Sequence, residues 1–273
     1  MCPSRWVALA VLLALSLPGT AAADACHAGP PLETLGLGLH LSAALEFATY
    51  DNARGEGHYA GVALGAGYIH DWLRLRAQLP AYRLKRNGET FTGPGDVLFA
   101  AEVAIFRDAD RFGSGLGLAV SAPTGNADED LGMGHFMLMP GAWAEFTRGP
   151  AFVQAQVAYG RALGADHAPA GEHAGHPGHA QHATGPGPIV NPMNASEITG
   201  RLSAGYRVFG IVRPRAGFDA AIPIADDQGE ARAIAVLGVD FLPDPFDFAL
   251  EGQLPFVGDP FTAKAELIAG FRF

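Results

Sequence analysis

Residues Thr262-Ala-Lys-Ala-Glu-Leu-Ile-Ala-Gly-Phe-Arg-Phe273, at the end of the chain, alternate with a period of two. Successive side chains on a β-strand point to opposite faces, so this period separates them into two rows. An amphipathic helix would instead repeat its apolar residues every three to four positions. The stretch therefore predicts a strand with one face suited to hydrocarbon and the other to water. The apolar row contains Ala263, Ala265, Leu267, Ala269, Phe271 and Phe273, and the other row contains Thr262, Lys264, Glu266, Ile268, Gly270 and Arg272.

The same alternation recurs through most of the chain, for example in residues 72–82, 197–208 and 245–256. Glycine and β-branched residues are abundant in these segments, which opposes helix formation. Membrane strands repeat about every ten residues, and counting the segments predicts about twelve strands. The predicted strands are residues 35–48, 58–69, 72–82, 95–107, 112–122, 134–147, 151–162, 196–209, 211–223, 230–242, 245–255 and 262–273.

The first residues have the pattern of a secretory signal peptide. Arg5 precedes an apolar run from Trp6 to Leu17, and Ala21-Ala22-Ala23 forms a small-residue cleavage site. The apolar run is shorter than the about 20 residues that a membrane-spanning helix needs. We therefore predict a signal peptide over residues 1–23 and a periplasmic N-terminal tail over residues 24–34.

Composition narrows the class of protein further. Hydrophobic residues make up 49% of the chain. The formal net charge is −10, and because nucleic acids are also negatively charged, we expect no nucleic-acid partner. No later apolar run is long enough for a transmembrane helix. An exported chain of this kind is either a soluble β-sandwich or a membrane β-barrel. A sandwich should be polar on its outward face, whereas charges of both signs on one face of these strands suit a small wet lumen.

The connections between predicted strands alternate in length, which favours the barrel. Membrane barrels have short periplasmic turns and longer outer loops, and a sheet in a bilayer must close on itself to pair its backbone groups. We therefore predict an all-β, closed antiparallel transmembrane β-barrel over residues 35–273, in the bacterial outer membrane. The short joints are 69–71, 107–111, 147–150, 209–211 and 242–245, and the longer ones are 49–57, 83–94, 123–133, 163–195, 224–229 and 256–261.

Turn-forming motifs in the first half of the chain carry a resemblance to a known family. Gly93-Pro-Gly-Asp-Val97, the segment Gly115 to Asn126 that contains Pro123-Thr-Gly125, and Asp128-Glu-Asp-Leu-Gly-Met-Gly134 resemble outer-membrane barrels grouped under the name "MetA-pathway of phenol degradation". The resemblance implies a channel for small organic, often hydrophobic, compounds. Phe271 and Phe273 resemble the C-terminal signal that the outer-membrane assembly machinery recognises. The expected partners are this machinery, outer-membrane lipid, lipopolysaccharide and a small-molecule solute.

Charged residues of both signs share the predicted inner face. About twelve strands should leave a narrow lumen, since eight-stranded barrels are filled and 16-stranded barrels are open. Mixed charge there predicts cross-barrel ion pairs and water, either as a structural network or as a selectivity device. The predicted lumen residues are Arg74, Arg76, Asp96, Glu102, Glu145, Arg201, Arg207, Arg213, Arg215, Asp219, Arg232, Asp240 and Glu251.

Two groups of residues have metal-ligating chemistry. The predicted outer loop 163–195 contains five histidines, four of them at a spacing of three, and imidazole suits Zn and Cu. A second group on one strand face combines a histidine with thioethers, which select Cu(I); methionines also fill narrow interiors. The loop histidines are His167, His173, His176, His179 and His182, and the second group is Met133, His135, Met137 and Met139.

The chain contains no P-loop, dinucleotide fingerprint or H-E-x-x-H motif, so we expect no enzyme. The residues described above suggest two other functions. The first function is a channel for small solutes, including hydrophobic or aromatic ones. The second is a metal-binding surface protein that the barrel anchors. We expect no obligatory cofactor, and Cu or Zn at the histidine-rich loop.

Overall fold

The computed structural model describes residues 38–52, 55–108, 111–163, 189–190, 192–224, 230–258 and 261–273. They form thirteen β-strands and a short 3-10 helix, Ala127–Glu129. Among these residues, no helix is long and apolar enough to cross a membrane. The strands are β1 Gly38–Asn52, β2 Gly55–His70, β3 Leu73–Arg86, β4 Glu89–Pro94, β5 Val97–Asp108, β6 Phe112–Ala122, β7 Phe136–Arg148, β8 Ala151–Leu163, β9 Ser196–Tyr206, β10 Val212–Pro223, β11 Arg232–Phe241, β12 Phe246–Val257 and β13 Ala263–Arg272.

The strands form one closed antiparallel sheet. Neighbours in sequence are neighbours in the sheet, and β1 pairs with β13 on one side and with β2 on the other. The β2–β3 pairing completes the circuit. Among the described residues, closure gives every strand except β4 two partners, and β4 pairs with β3 alone. Pairing on both sides satisfies the backbone groups that a bilayer would leave unpaired. The predicted barrel is confirmed.

β4 and β5 are two parts of one barrel strand. β3 pairs with β4 up to Ala81–Pro94 and then with β5 from Gln78–Leu98, so Gly95 and Asp96 face fewer residues on β3. An extra residue on one strand is a β-bulge, which bends the strand and redirects a side chain. A Cβ atom at Gly95 would collide with the Tyr82 ring. Counted this way, the barrel has the twelve strands that the sequence predicts.

The prediction of long loops over residues 83–94 and 49–57 is wrong. β3 continues to Arg86 and turns through Asn87-Gly88 into β4, with both turn residues at positive φ. An Asn-Gly pair is the preferred two-residue hairpin turn, because both positions tolerate that conformation. β1 likewise extends to Asn52, so most of the residues in both predicted loops belong to strands.

The outer face of the barrel is apolar. Large apolar side chains point outward on almost every strand, and Leu64, Leu79, Leu116 and Leu250 are each more than half exposed. Such a continuous band around a closed barrel suits hydrocarbon rather than water. Aromatic side chains are numerous near the end that carries the short connections, namely Tyr68, Trp72, Phe106, Phe112, Phe146, Phe241 and Phe273.

Candidate functional site

The lumen has two halves of different chemistry. We call the half near the short connections the turn half, and the half near residues 123–135 and 189–195 the loop half. The inner face of β3 changes from Arg74 and Arg76 in the turn half to Tyr82 and Leu84 in the loop half. The alternation places these side chains inward, and the position along the strand decides which half each one lines.

One ion-pair network joins β3 and β5 in the turn half. Arg74 Nε lies 2.9 Å from Glu102 Oε2, and Arg76 Nη2 lies 3.3 Å from Glu102 Oε1. The Arg74 guanidinium also lies over the Trp143 ring of β7, 5.1 Å from its centroid. Arg74 and Glu102 are both buried. The lumen therefore holds these charges as compensated pairs.

Asp240 on β11 receives two arginines from β10. Arg213 Nη2 lies 2.7 Å from Asp240 Oδ2, and Arg215 Nε donates to Asp240 Oδ1 over 3.1 Å. Arg213 is 2% exposed, and its guanidinium lies 4.7 Å from the centre of the Phe152 ring. A buried guanidinium without a carboxylate partner would be an uncompensated charge, which is costly. The Asp240 carboxylate therefore stabilises both arginines in their positions.

Glu251 on β12 extends the same network around the wall. Its Oε2 atom lies 2.6 Å from Arg215 Nη1 and 3.0 Å from Arg201 Nη2. Arg201 Nε in turn lies 3.3 Å from Asp219 Oδ1. The network thus connects four consecutive strands, β9 to β12, and fixes their inner side chains relative to one another.

A row of glutamates crosses β1, β13 and β12. Glu46 lies directly opposite Glu266, and Glu266 lies directly opposite Glu251. Lys264 Nζ lies 3.7 Å from Glu46 Oε2, and Gln253 Nε2 donates to Glu251 Oε1 over 2.8 Å. This part of the wall is therefore acidic, while β10, two strands away from β12, carries Arg213 and Arg215.

A cavity of about 190 Å³ lies between these networks. Arginines, carboxylates, glutamine amides and small residues line it, including Gln78, Gln154, Gln156 and Ser203. An engineered apolar cavity of ~150 Å³ holds benzene, so the volume is sufficient for one small aromatic ring. The lining offers such a molecule hydrogen-bond donors and acceptors in several directions.

Apolar side chains fill the loop half. The tyrosine cluster, as we call it, combines wall residues with residues of the two long connections, and Leu131, Ile189 and Val190 come from those connections. Tyr59 and Tyr82 pack edge to face with their ring centres 6.3 Å apart. The connections therefore fold inward and obstruct the lumen. The buried members are Ala48, Tyr50, Tyr59, Tyr82, Leu84, Leu131, Ile189, Val190 and Phe261.

A methionine cluster lies beside the tyrosine cluster. It contains Met133, Met137, Met139 and Met193, packed with Leu98 and Ala162. Its four methionines are at most 9% exposed. Thioether side chains are unbranched and polarisable, so they adapt to irregular space better than branched residues do.

The two motifs of the family resemblance contact each other. Thr124 Oγ1 donates to the Gly95 carbonyl over 2.8 Å and accepts from Val97 N over 2.9 Å, so it satisfies the backbone beside the bulge. The Asp96 carboxylate accepts from Gly125 N and Met133 N over 2.9 and 2.7 Å. The bulge therefore aims Asp96 at the connection after β6 and holds that connection inside the barrel.

A second anchor holds the connection before β9. The Asn194 side-chain amide donates to Glu197 Oε2 over 2.6 Å, and the Arg232 guanidinium lies 2.9 Å from the same atom. Glu230 N donates to Asn194 Oδ1 over 3.1 Å. An ion pair between Arg86 and Asp130 ties the first connection to β3 as well.

Apart from Arg207, the predicted lumen residues lie on the inner face of the barrel. Glu145 lies inward beside Gly113, and Arg232 lies in the loop half. Arg207 lies beyond the end of β9. Met137 and Met139 point inward with Met133, as their shared parity predicts. Phe271 packs against Phe246 and Phe273, while its role as an assembly signal stays a prediction. The loop histidines His167, His173, His176, His179 and His182, the signal peptide and the tail lie outside the described residues.

Sequence reasoning missed the tyrosine cluster, Met193, and the Asn194–Glu197 anchor. The signal for the wall residues was present, because the inward parity of β1 continues from Glu46 through Ala48 to Tyr50. Nothing local in Leu131 or Met193 indicates that the connections fold inward. Among the described residues, no group of three or more histidine, cysteine, aspartate or glutamate side chains is arranged to hold a metal.

Comparisons with known proteins agree with the fold. No family model and no curated protein matches the chain. The barrel is similar to an outer membrane channel from Pseudomonas putida F1, with a TM-score of 0.67 and 15% identity, covering 92% of this chain and 98% of that chain. It is also similar to the translocator domain of the autotransporter NalP from Neisseria meningitidis, with a TM-score of 0.50 and 14% identity, covering 89% and 91% of the two chains.

These likenesses, the closed sheet and the apolar outer face identify the chain as a bacterial outer-membrane β-barrel. In such barrels the short connections face the periplasm, so the turn half opens towards the periplasm and the loop half faces the cell exterior. The predicted location in the outer membrane is confirmed. The resemblance to the phenol-degradation barrels stays a prediction.

Proposed function

We propose that the protein is an outer-membrane channel for small solutes that combine an aromatic or other apolar part with a polar group. The observation that carries the proposal is the division of the lumen into an apolar loop half and a charged turn half with a cavity of about 190 Å³. A solute entering from outside would meet tyrosine and methionine side chains first and hydrogen-bonding groups next. The similar protein from Pseudomonas putida F1 is described as a channel, which supports the proposal.

The charges of the turn half favour neutral solutes over ions. The arginines described above lie within about 3 Å of carboxylates, as in the Arg213–Asp240 pair at 2.7 Å. A network of compensated charges attracts a dipolar molecule but gives a free ion little net attraction. We therefore expect phenol-sized neutral molecules to pass faster than anions or cations of equal size.

The test is uptake into liposomes that contain the purified barrel. Leu131→Ala should speed uptake of phenol severalfold, because Leu131 is buried in the tyrosine cluster and obstructs the path. Leu116→Ala is the matched control, since Leu116 is 55% exposed on the outer face. Phenol crosses plain bilayers, so the protein-dependent rate is obtained by subtracting protein-free liposomes. Identical rates for the two variants and wild type would contradict the proposal.

A second candidate function rests on the five histidines between β8 and β9. β8 ends at Leu163 and β9 begins at Ser196, and both of these strand ends lie in the loop half. Neutral imidazole is the ligand form, so Cu or Zn binding there should fail below pH ~6.5. Calorimetry with Zn²⁺ at pH 7.5, on wild type and on the variant with all five histidines changed to alanine, tests it. Equal binding by both forms would contradict this function.

A further inference from the structure

We propose that the methionine cluster and His135 form a site for a soft monovalent cation, Cu(I) or Ag(I), inside the loop half of the lumen. The chain has five methionines, and Met133, Met137, Met139 and Met193 all belong to this one buried cluster. Two of them lie on β7 and two come from the inward-folded connections, so four separate positions converge. Thioether sulfur is a soft ligand that selects Cu(I) over harder divalent ions.

His135 offers a nitrogen ligand next to the cluster. It immediately precedes β7 and is two residues from both Met133 and Met137. Its buried Nε2 atom has no hydrogen-bond partner among the described residues. Neutral imidazole nitrogen is a ligand that suits copper.

The surroundings suit a cation of charge +1. Burying an uncompensated charge is expensive, and four thioethers with a neutral imidazole carry no charge of their own. Asp96 is buried near His135 and interacts with it electrostatically, so it would offset the charge of the ion.

Packing alone explains the four methionines of this cluster less well than metal binding does. Leucine, isoleucine and valine fill most apolar interiors, and the adjacent tyrosine cluster uses them together with tyrosine and phenylalanine. The methionine cluster concentrates four flexible side chains in one place, next to a histidine whose buried Nε2 atom has no hydrogen-bond partner among the described residues. Soft-metal binding accounts for both features. This inference does not depend on the channel proposal.

The test uses the full chain in detergent, labelled with ¹³C at the methionine methyl groups and titrated with Ag(I) as a redox-inert probe. The four cluster methionines should be the main source of signals, so the spectrum reports on this site and not on the histidine-rich segment. We expect at least three methyl signals to shift together and to saturate near one equivalent. Leu138→Met adds a thioether on the outer face of the same strand, and its extra signal should stay unchanged.

Met137→Leu/Met139→Leu supplies the second measurement. Leucine has a volume close to that of methionine, so the fold should persist, which heat-dependent migration on gels checks. Loss of even an outer-shell partner lowers metal affinity ~10–100-fold, and the double variant should lose at least as much for Ag(I). Unshifted methyl signals in wild type, or equal Ag(I) affinity in a folded double variant, would overturn the site. If the double variant fails to fold, the wild-type spectrum decides alone.

Discussion

The turn half and the loop half of the lumen are built on the same strands, yet different forces stabilise them. In the turn half, Arg213, Arg215 and Asp240 hold one another at 2.7 to 3.1 Å. In the loop half, Leu84 and Tyr59 pack in an apolar cluster with 0% and 1% exposure. Ion pairs require a fixed geometry, whereas apolar contacts are not directional. The wall of the turn half is therefore held mainly by ion pairs of fixed geometry. In the loop half, apolar contacts that adapt more readily surround the Glu197–Arg232 and Arg86–Asp130 pairs.

In the proposed channel, this difference would assign selectivity and closure to separate halves of the lumen. The ion pairs around the cavity of about 190 Å³ would keep its shape constant, which would favour discrimination between solutes. The obstruction in the loop half consists of Leu131, Ile189 and Val190, which belong to connections and not to strands. Connections open at lower free energy than paired strands do, so the obstruction can move while the wall stays intact.

The largest expected effect comes from breaking the Asp240 pairs. Asp240→Asn removes the carboxylate charge that compensates Arg213, which is 2% exposed, whereas Arg215 keeps its pair with Glu251. Leaving a buried charge unpaired costs about 4 kcal/mol, so the free energy of unfolding should fall by that order. Urea unfolding of the barrel from lipid vesicles, followed by tryptophan fluorescence, measures it.

Asp244→Asn is the matched control for this substitution. The Asp244 side chain is 91% exposed and lies 3.8 Å from Arg272, so its loss should change the free energy of unfolding by less than about 0.5 kcal/mol. Similar losses in both variants would show that the turn half does not depend on its buried pairs.

A smaller effect is expected from a cavity in the loop half. Leu84→Ala removes a fully buried side chain from the tyrosine cluster and should lower the free energy of unfolding by about 3 kcal/mol. Leu79→Ala on the same strand is the comparison, because Leu79 is 58% exposed and lipid fills the space that it leaves. The free energy of unfolding of both variants is measured by urea unfolding from lipid vesicles. An equal loss in the two variants would mean that the tyrosine cluster packs no better than the lipid-facing side chains.

The fold was predictable because closure in a bilayer leaves few alternatives. Period-two alternation and the short joints predict twelve antiparallel strands, and the structure has them. The error over residues 83–94 arose from charged residues such as Lys85 and Arg86, which suggest a loop although the Asn87-Gly88 turn follows them. Local turn chemistry was the better guide there than polarity.

The candidate site was predictable only in part. The alternation of side chains along a strand is enough to place Arg74 or Asp240 on the inner face, even when the ion-pair partners of these residues are unknown. Parity does not say that the Asp96 carboxylate binds the backbone of Gly125 and Met133, because that contact depends on the bulge and on a connection folding back. Inward-folded connections are long-range features, and their hydrophobic residues resemble ordinary loop residues in the sequence.

The smallest expected effect tests how the connection after β6 is held. Thr124→Val keeps the shape of the side chain but removes the hydroxyl that donates to Gly95 O and accepts from Val97 N. A net loss of about 1 kcal/mol in the free energy of unfolding follows from the two hydrogen bonds. The same loss should favour outward movement of the connection that carries Leu131, so the barrel should spend more time in a conducting state. Planar-bilayer recordings measure that fraction directly.

Thr92→Val is the control for this change, because Thr92 is exposed on β4. This substitution should alter neither the free energy of unfolding nor the fraction of time in the conducting state. A Thr124→Val barrel that is destabilised but conducts like wild type would separate the two roles. The hydroxyl would then stabilise the bulge without restraining the connection. The connection would in that case be held by the Asp96 carboxylate, through Gly125 and Met133, and by the Arg86–Asp130 ion pair.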